Sequence, residues 1–431
     1  MAPGVGAAAR LGGAAALYAH GSVCARGVTE LVTGARDLRQ FGVLAAGFGV
    51  STFGNFLNLV AVNLYVFQLS GSALWTGLLM AVRLAAGFLA GPVAGRLAAH
   101  ADRRRVMVCA DVAQALAMVA LLVSPPSVHA PMLLGVAVVL GAGNTLFTVA
   151  LRTSVPDLVG PAARIRGNGY LVTAKSFAMV LGFAAAGPLV TAVGYRAAFA
   201  VNAASFVVSA VILLSLPLSF RATGKTAGPA STSALRSVLK VVLATSPTLA
   251  VLLALRGVEG WGSASHNVAL PVFAGHTGSG DPAVWLSQFW TAWAVGSLSV
   301  YQALAWWLRR TGREPGGNAY AMAIGLASVA FIASFTGLPW PFFLIPALIA
   351  GFTDGAAELF YTTRLQDSPD NIRGLLFGAS ASVETLGLAS GMVVSAVLLD
   401  VAKPVVVVSV FHGSVVLAAC SYLFVRRRHR C

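Results

Sequence analysis

Eight ionisable residues interrupt otherwise apolar stretches of the chain: Arg83, Asp111, Lys175, Arg256, Glu259, Asp354, Glu358 and Glu384. A charge within a hydrocarbon layer is costly, so such residues face a bundle interior or a watered cavity and mark ion or substrate paths. Carboxylates in that setting can bind and release protons, and a nearby guanidinium tunes them. Arg256 and Glu259 stand three apart, the spacing that puts two side chains on one helix face. Two readings of the pair stand. Either Glu259 exchanges a proton under the control of Arg256, or the two merely neutralise each other.

Long helices must position these groups. The chain has 431 residues, 57% of them hydrophobic and only 10% charged. Soluble domains carry about 25% charged residues, and a helix that crosses a bilayer needs about 20 apolar ones. Twelve runs meet that need: 43–67, 74–95, 106–123, 132–151, 170–193, 197–216, 249–273, 283–308, 320–335, 341–361, 375–399 and 404–424. The expected fold class is therefore all-α integral membrane, with twelve transmembrane helices in two six-helix bundles, 41–217 and 246–425. Residues 1–40 read as a disordered or interfacial tail, 218–245 as a polar central loop, and 426–431 as a basic end.

The net charge of +15 in a soluble protein would suggest nucleic acid. Here the basic residues sit at the ends of apolar runs, where they orient the chain in the membrane. If both termini are cytoplasmic, only Arg196 and Lys403 of the 29 lysines and arginines fall outside. Arg83, Lys175 and Arg256 lie within spans, and the other 24 are inside. Trp75, Trp285 and Trp340 open spans at the outer boundary, and Trp306 and Trp307 close one at the inner boundary, positions that suit interfacial indoles. Cys24, Cys109, Cys420 and Cys431 have neither disulfide nor metal spacing.

Depth follows from the helical rise of about 1.5 Å per residue. Arg83, Glu259 and Glu384 come out mid-membrane, with Lys175, Arg256 and Asp354 in the inner half. Asp111 and Glu358 come out one turn inside the cytoplasmic boundary, where pairing with loop arginines is expected. Asn55, Asn58, Gln288, Trp290 and Trp293 are candidate cavity-lining groups. His266, alone on its span, reads as a hydrogen-bonded interior residue.

Between the second and third runs stands Gly91-Pro92-Val-Ala-Gly95-Arg96-Leu-Ala-Ala-His100-Ala-Asp102-Arg103-Arg104-Arg105. This resembles the signature loop of major facilitator superfamily transporters, and most of all the exporter branch of enterobactin and macrolide efflux proteins. Gly91, Gly95, Asp102, Arg103, Arg104, Arg105 and Asp111 match. Ala99 and His100 replace the loop's usual aspartate and arginine, so Asp102 is the candidate substitute in its charge relay. The glycines are expected to let helices approach closely. Gly182 and Gly187-Pro188 match part of the antiporter motif; a close helix crossing explains them as well. The halves also resemble each other: Arg152-Thr-Ser-Val-Pro156-Asp157 parallels Arg364-Leu-Gln-Asp-Ser-Pro369-Asp370, and Leu308-Arg309-Arg310 mirrors Arg103–Arg105.

The resemblance implies two six-helix bundles around a midplane cavity, with spans 2 and 11, and 5 and 8 or 10, meeting between them. Arg83 and Glu384, and Lys175 and Asp354, are then candidate inter-bundle salt bridges formed in one state only; pairing of each charge within its own bundle is the alternative. Lys175, Arg83, Asp111 and Glu358 make the candidate gate, and Glu259, Arg256, Asp354, Glu384, Asn55 and Trp290 the candidate proton-coupling cavity. The expected function is proton-coupled export of a hydrophobic or amphipathic small molecule from a multi-pass protein of the cell membrane. An importer or facilitator of the same fold is the alternative, and a non-transporting sensor a remoter one. No P-loop, HExxH or nucleophile elbow is present. Neither an enzyme, a cofactor, a metal nor a nucleic-acid partner is expected; the partners are the substrate, protons and lipid, and the chain is expected to act as a monomer.

Overall fold

The computed structural model describes residues 40–216, 247–276, 281–311, 318–366 and 370–428. The expected tail 1–40, the central loop and the last residues of the basic end fall almost wholly outside these ranges. Eleven helices occupy the described residues: α1 Gln40–Ser70, α2 Ala73–His100, α3 Arg103–Val123, α4 His129–Val193, α5 Tyr195–Ser215, α6 Pro247–His276, α7 Pro282–Thr311, α8 Ala319–Ser334, α9 Leu344–Gln366, α10 Asp370–Leu399 and α11 Pro404–Arg428. Helix α4 supplies two apolar spans, Pro126–Val155 (with the short 3-10 turn before it) and Gly169–Val193, so twelve segments result. The chain doubles back between them: a Cβ on Gly167 would lie 3.2 Å from Val155, twelve residues earlier. The sequence, rich there in proline and glycine, reads as a loop between two helices; the backbone instead stays helical around the turn.

Short connections set the antiparallel order. Ser72 caps α2 by accepting from the Leu74 amide, and Asp102 caps α3 by accepting from Arg104 at 2.9 Å. Gly71 and Gly194, at φ +63° and +90°, take the left-handed turns between spans. One end of the bundle carries Arg96, Arg103–Arg105, Arg309, Arg310, Arg364 and Arg426–Arg428; the other carries the turns at 71–72, 194 and 400–403.

Within the first half, α2 and α3 pack on α4, and α3 on α5. In the second, α6 packs on α10 and α11, and α9 on α7 and α8. The halves meet where α2 touches α10 and where the second arm of α4 touches α7, the span pairs 2/11 and 5/8 of the resemblance. Both contacts are tight at the arginine-poor end. A Cβ on Gly77 would stand 2.5 Å from the Ala396 Cβ, and one on Gly187 would stand 2.7 Å from the Ala283 carbonyl. Ser287 also donates a hydrogen bond to the Phe183 carbonyl there. Towards the arginine end α2 is free of such contact, for a Cβ on Gly91 or Gly95 would meet nothing within 4 Å. The close approach expected at those glycines is not made in this state, because α2 leans on α10 through Gly77 instead. Trp285 likewise departs from the expected interfacial position: it is buried, stacked on Phe289 and Phe343.

Candidate functional site

The signature-loop arginines act on backbone carbonyls. Buried Arg103 donates to the Ala98 carbonyl at 2.8 Å and to the Thr153 carbonyl at 3.0 Å, and Arg104 donates to the Leu214 carbonyl. Ala98 and Leu214 lie in the last turns of α2 and α5, where free carbonyls and the helix dipole favour a cation. Asp102 caps α3 and lies 3.8 Å from the exposed Arg105. With Arg103 and Arg104 so engaged, Asp111 does not pair with a loop arginine. It lies eight residues into α3, about 12 Å from the helix start, fully buried, and neither oxygen has a protein partner.

The ionic centre lies in the second half. Helices α6 and α10 pack backbone to backbone, since a Cβ on Gly260 would stand 2.7 Å from the Glu384 carbonyl. That contact sets Arg256 of α6 beside Glu384 of α10. Arg256 donates to Glu384 at 2.9 and 3.1 Å, to Glu259 at 3.1 Å, and to Glu358 of α9 at 2.7 Å. Tyr320 of α8 donates to Glu259 at 2.8 Å, and the Tyr361 ring lies 5.1 Å from the guanidinium. Asp354 stands one turn from Glu358 on α9, within electrostatic range of Arg256 and the three glutamates. Arg256 and Glu259 are 12% exposed, whereas Glu384 is 40% and Glu358 54% exposed. Exposed carboxylates at this depth face water, so a cleft between the halves reaches them from the arginine end.

Glu358 thus sits beside Arg256, not at the boundary expected for it, because α9 runs eight residues past it to Gln366. Neither expected inter-bundle bridge is formed in this state. Glu384 pairs with Arg256, and Arg83 donates to Asn55 of its own half at 3.4 Å. Lys175, from the second arm of α4, is in electrostatic range of Glu358. Sequence reasoning missed Tyr320 and Tyr361; the spacing of Glu358 and Tyr361, three apart on α9, was the available signal. Toward the closed end Trp290 stacks on Phe183 across the halves, with ring centres 5.5 Å apart. Below it His266 meets His412 at 3.1 Å.

The profile of the Major Facilitator Superfamily matches residues 43–392. The chain belongs to that superfamily. It is 28% identical over 183 residues to the uncharacterized MFS-type transporter YfiS of Bacillus subtilis (strain 168), a match covering 42% of this chain and 43% of that protein. It therefore spans less than half the length of that relative. Among solved structures it is similar to a POT family transporter bound to a thioalcohol-conjugated peptide (TM-score 0.71, 10% identity, 90% of this chain and 96% of that one). It is also similar to the nucleoside transporter NupG (TM-score 0.68, 13% identity, 90% and 98%). At such identity these likenesses speak for the fold alone. The chain is thus a multi-pass membrane protein of that superfamily, its described residues forming twelve helical segments in two halves.

Proposed function

We propose that this protein is a proton-coupled exporter of a hydrophobic or amphipathic small molecule, working by alternating access. One observation carries the proposal: a single guanidinium is shared by three glutamates, with a fourth carboxylate alongside. Even with Lys175 of the facing half in electrostatic range of Glu358, the positive charge falls short of the four carboxylates, so those shielded from water are placed to bind protons or a cationic cargo. Protons that occupy Glu384 or Asp354 leave when a substrate changes the neighbourhood of Arg256. Glu384 then exchanges Arg256 for Arg83 of the facing helix as the halves rock, which couples proton occupancy to access. The arginine end is cytoplasmic under the positive-inside rule, so the cleft opens inward and a cargo enters from the cytoplasm. The signature loop's likeness to macrolide and enterobactin exporters supports the outward direction.

Inverted membrane vesicles test this. A pH gradient is set by respiration and followed with a quenched acridine dye, and ethidium or erythromycin is added. Export in exchange for protons dissipates the gradient in the wild type and not in Glu384→Gln. If neither compound, nor a wider panel of amphipathic drugs, moves the signal above vesicles lacking the protein, proton-coupled export is wrong.

A further inference from the structure

Arg83 is a mid-membrane guanidinium without a counter-ion. It stands ten residues into α2, about 15 Å from the helix start, and among the described residues it is in no ion pair. Its side chain donates to Asn55 Oδ1 at 3.4 Å, long for a hydrogen bond from a cation. A guanidinium carries five N–H donors, so most of the fork is unengaged. A charge at this depth is costly until an anion pairs with it.

Packing fixes where this fork sits. A Cβ on Gly141 of α4 would overlap the Arg83 carbonyl, so α2 and α4 lie backbone on backbone at that level. Thr76 and Met80 share the Arg83 face of α2, seven and three residues nearer the arginine-poor end, and both are buried; Arg83 is partly exposed. That face of α2 therefore opens at Arg83, at the blind end of the cleft. Asn55 is followed on α1 by Phe56, which meets Phe183 edge-on at 5.0 Å, and Phe183 stacks on Trp290 of the other half at 5.5 Å. Phe56 and Trp290 are themselves partly exposed, so apolar ring surface stands beside the cation. Asn55 accepts from Arg83 with its oxygen, and its amide nitrogen donates to no described residue. The polar atoms left free at this point are all donors, the set that recognises an oxyanion.

We infer that Arg83 and Asn55 bind a carboxylate carried by the cargo, whose apolar body lies on Phe56 and Trp290, so the cargo is an amphipathic acid. The inference rests on the transport reading above and names the chemical class of cargo for the same cleft. A carboxylate takes two parallel hydrogen bonds from the planar fork and a third from the Asn55 amide. Glu384 does not compete in this state, because Arg256 holds both of its oxygens, at 2.9 and 3.1 Å. When the halves rock, Glu384 and the cargo's acid become alternative partners for one guanidinium, and the arrival of Glu384 displaces the acid. A zwitterion meets both sites, with its ammonium facing the carboxylates around Arg256.

Thermal unfolding of the purified full-length protein tests it, followed by the fluorescence of its 8 tryptophans. The probes are 3-phenylpropanoate, 4-phenylbutyrate and decanoate, each beside its own carboxamide. A ligand bound only by the folded state raises the midpoint saturably, and at least one acid should do so by about 2–4 °C at millimolar concentration while its amide does not. Arg83→Gln is expected to lose the shift, and Arg83→Lys to weaken half-saturation about tenfold. Asn55→Asp puts a carboxylate where the cargo's would sit. It should raise the midpoint without ligand and abolish the acid's shift, whereas loss of a merely structural amide would lower the midpoint. No shift with any of the three acids, an equal shift with the amide, an undiminished shift in Arg83→Gln or Asn55→Asp, or an Asn55→Asp protein less stable than the wild type overturns the inference. Should Arg83→Gln not fold, the acid–amide comparison and Asn55→Asp decide alone. The readout needs no pH gradient, so failure of proton-coupled export in vesicles leaves it standing, and absence of the acid shift beside an intact vesicle signal removes acid recognition alone.

Discussion

Arg256 meets Glu384, Glu259 and Glu358 with three different nitrogens. A planar fork can do this; an ammonium on a flexible stem cannot hold three carboxylates at fixed angles. Arg256→Lys should therefore fold and keep its charge yet transport at least about 10-fold more slowly. Arg256→Ala leaves its carboxylates without a counter-charge and should cost about 1–3 kcal/mol, a figure reduced because Glu358 and Glu384 are open to water. Initial transport rates beside unfolding midpoints separate the two effects. If Lys serves as well as Arg, the fork is not what matters. The Arg256–Glu259 pairing was legible from spacing alone, since one helix face decides it. Glu384 as a partner was not. Depth along an axis fixes the level of a side chain but not its direction, and Arg83 and Arg256 both lie within reach of that level.

Direction is decided between elements, by which helix faces carry the small residues. Glycines draw α10 onto α6 and onto α2, the first contact inside a half and the second between halves. Apolar runs and arginine-rich ends made the twelve segments readable, but glycines are too common in this chain, at 46, for the sequence to say which of them cross. The structure distinguishes them. Gly77→Leu drives a side chain into Ala396 and the Met392 carbonyl, so it should part the halves at the arginine-poor end. Gly95→Ala touches nothing in this state. Thiol labelling of Ala396→Cys, in a protein freed of its four native cysteines, reads the difference. Labelling should rise several-fold with Gly77→Leu, in line with a shift of about 1 kcal/mol or more between two states, and stay unchanged with Gly95→Ala. Equal labelling in both would mean that the α2–α10 contact does not hold that end shut.

Across the whole molecule, charge and contact are arranged in opposition. Among the described residues, the end where the halves touch carries Arg196 and Lys403 as its only arginine and lysine, with Asp281 and Asp400 beside them; the end where they part carries most of the arginines. Aromatic residues mark both boundaries: Trp340 and Trp75 are exposed at the first, and Trp306 and Trp307 at the second, with Arg310 lying 5.2 Å from the Trp306 ring. Under the proposed orientation, with the basic residues retained on the cytoplasmic side, the cleft faces the cytoplasm. Fusing alkaline phosphatase after Lys403, and green fluorescent protein after Cys431, tests that orientation directly. The phosphatase folds only outside the cytoplasm and the fluorescent protein only within it, so both should be active. If both are silent, the chain is inverted and the cleft opens outward. The carboxylates around Arg256 would then meet the exterior solution first, and inward transport would become the natural direction for the same proton chemistry.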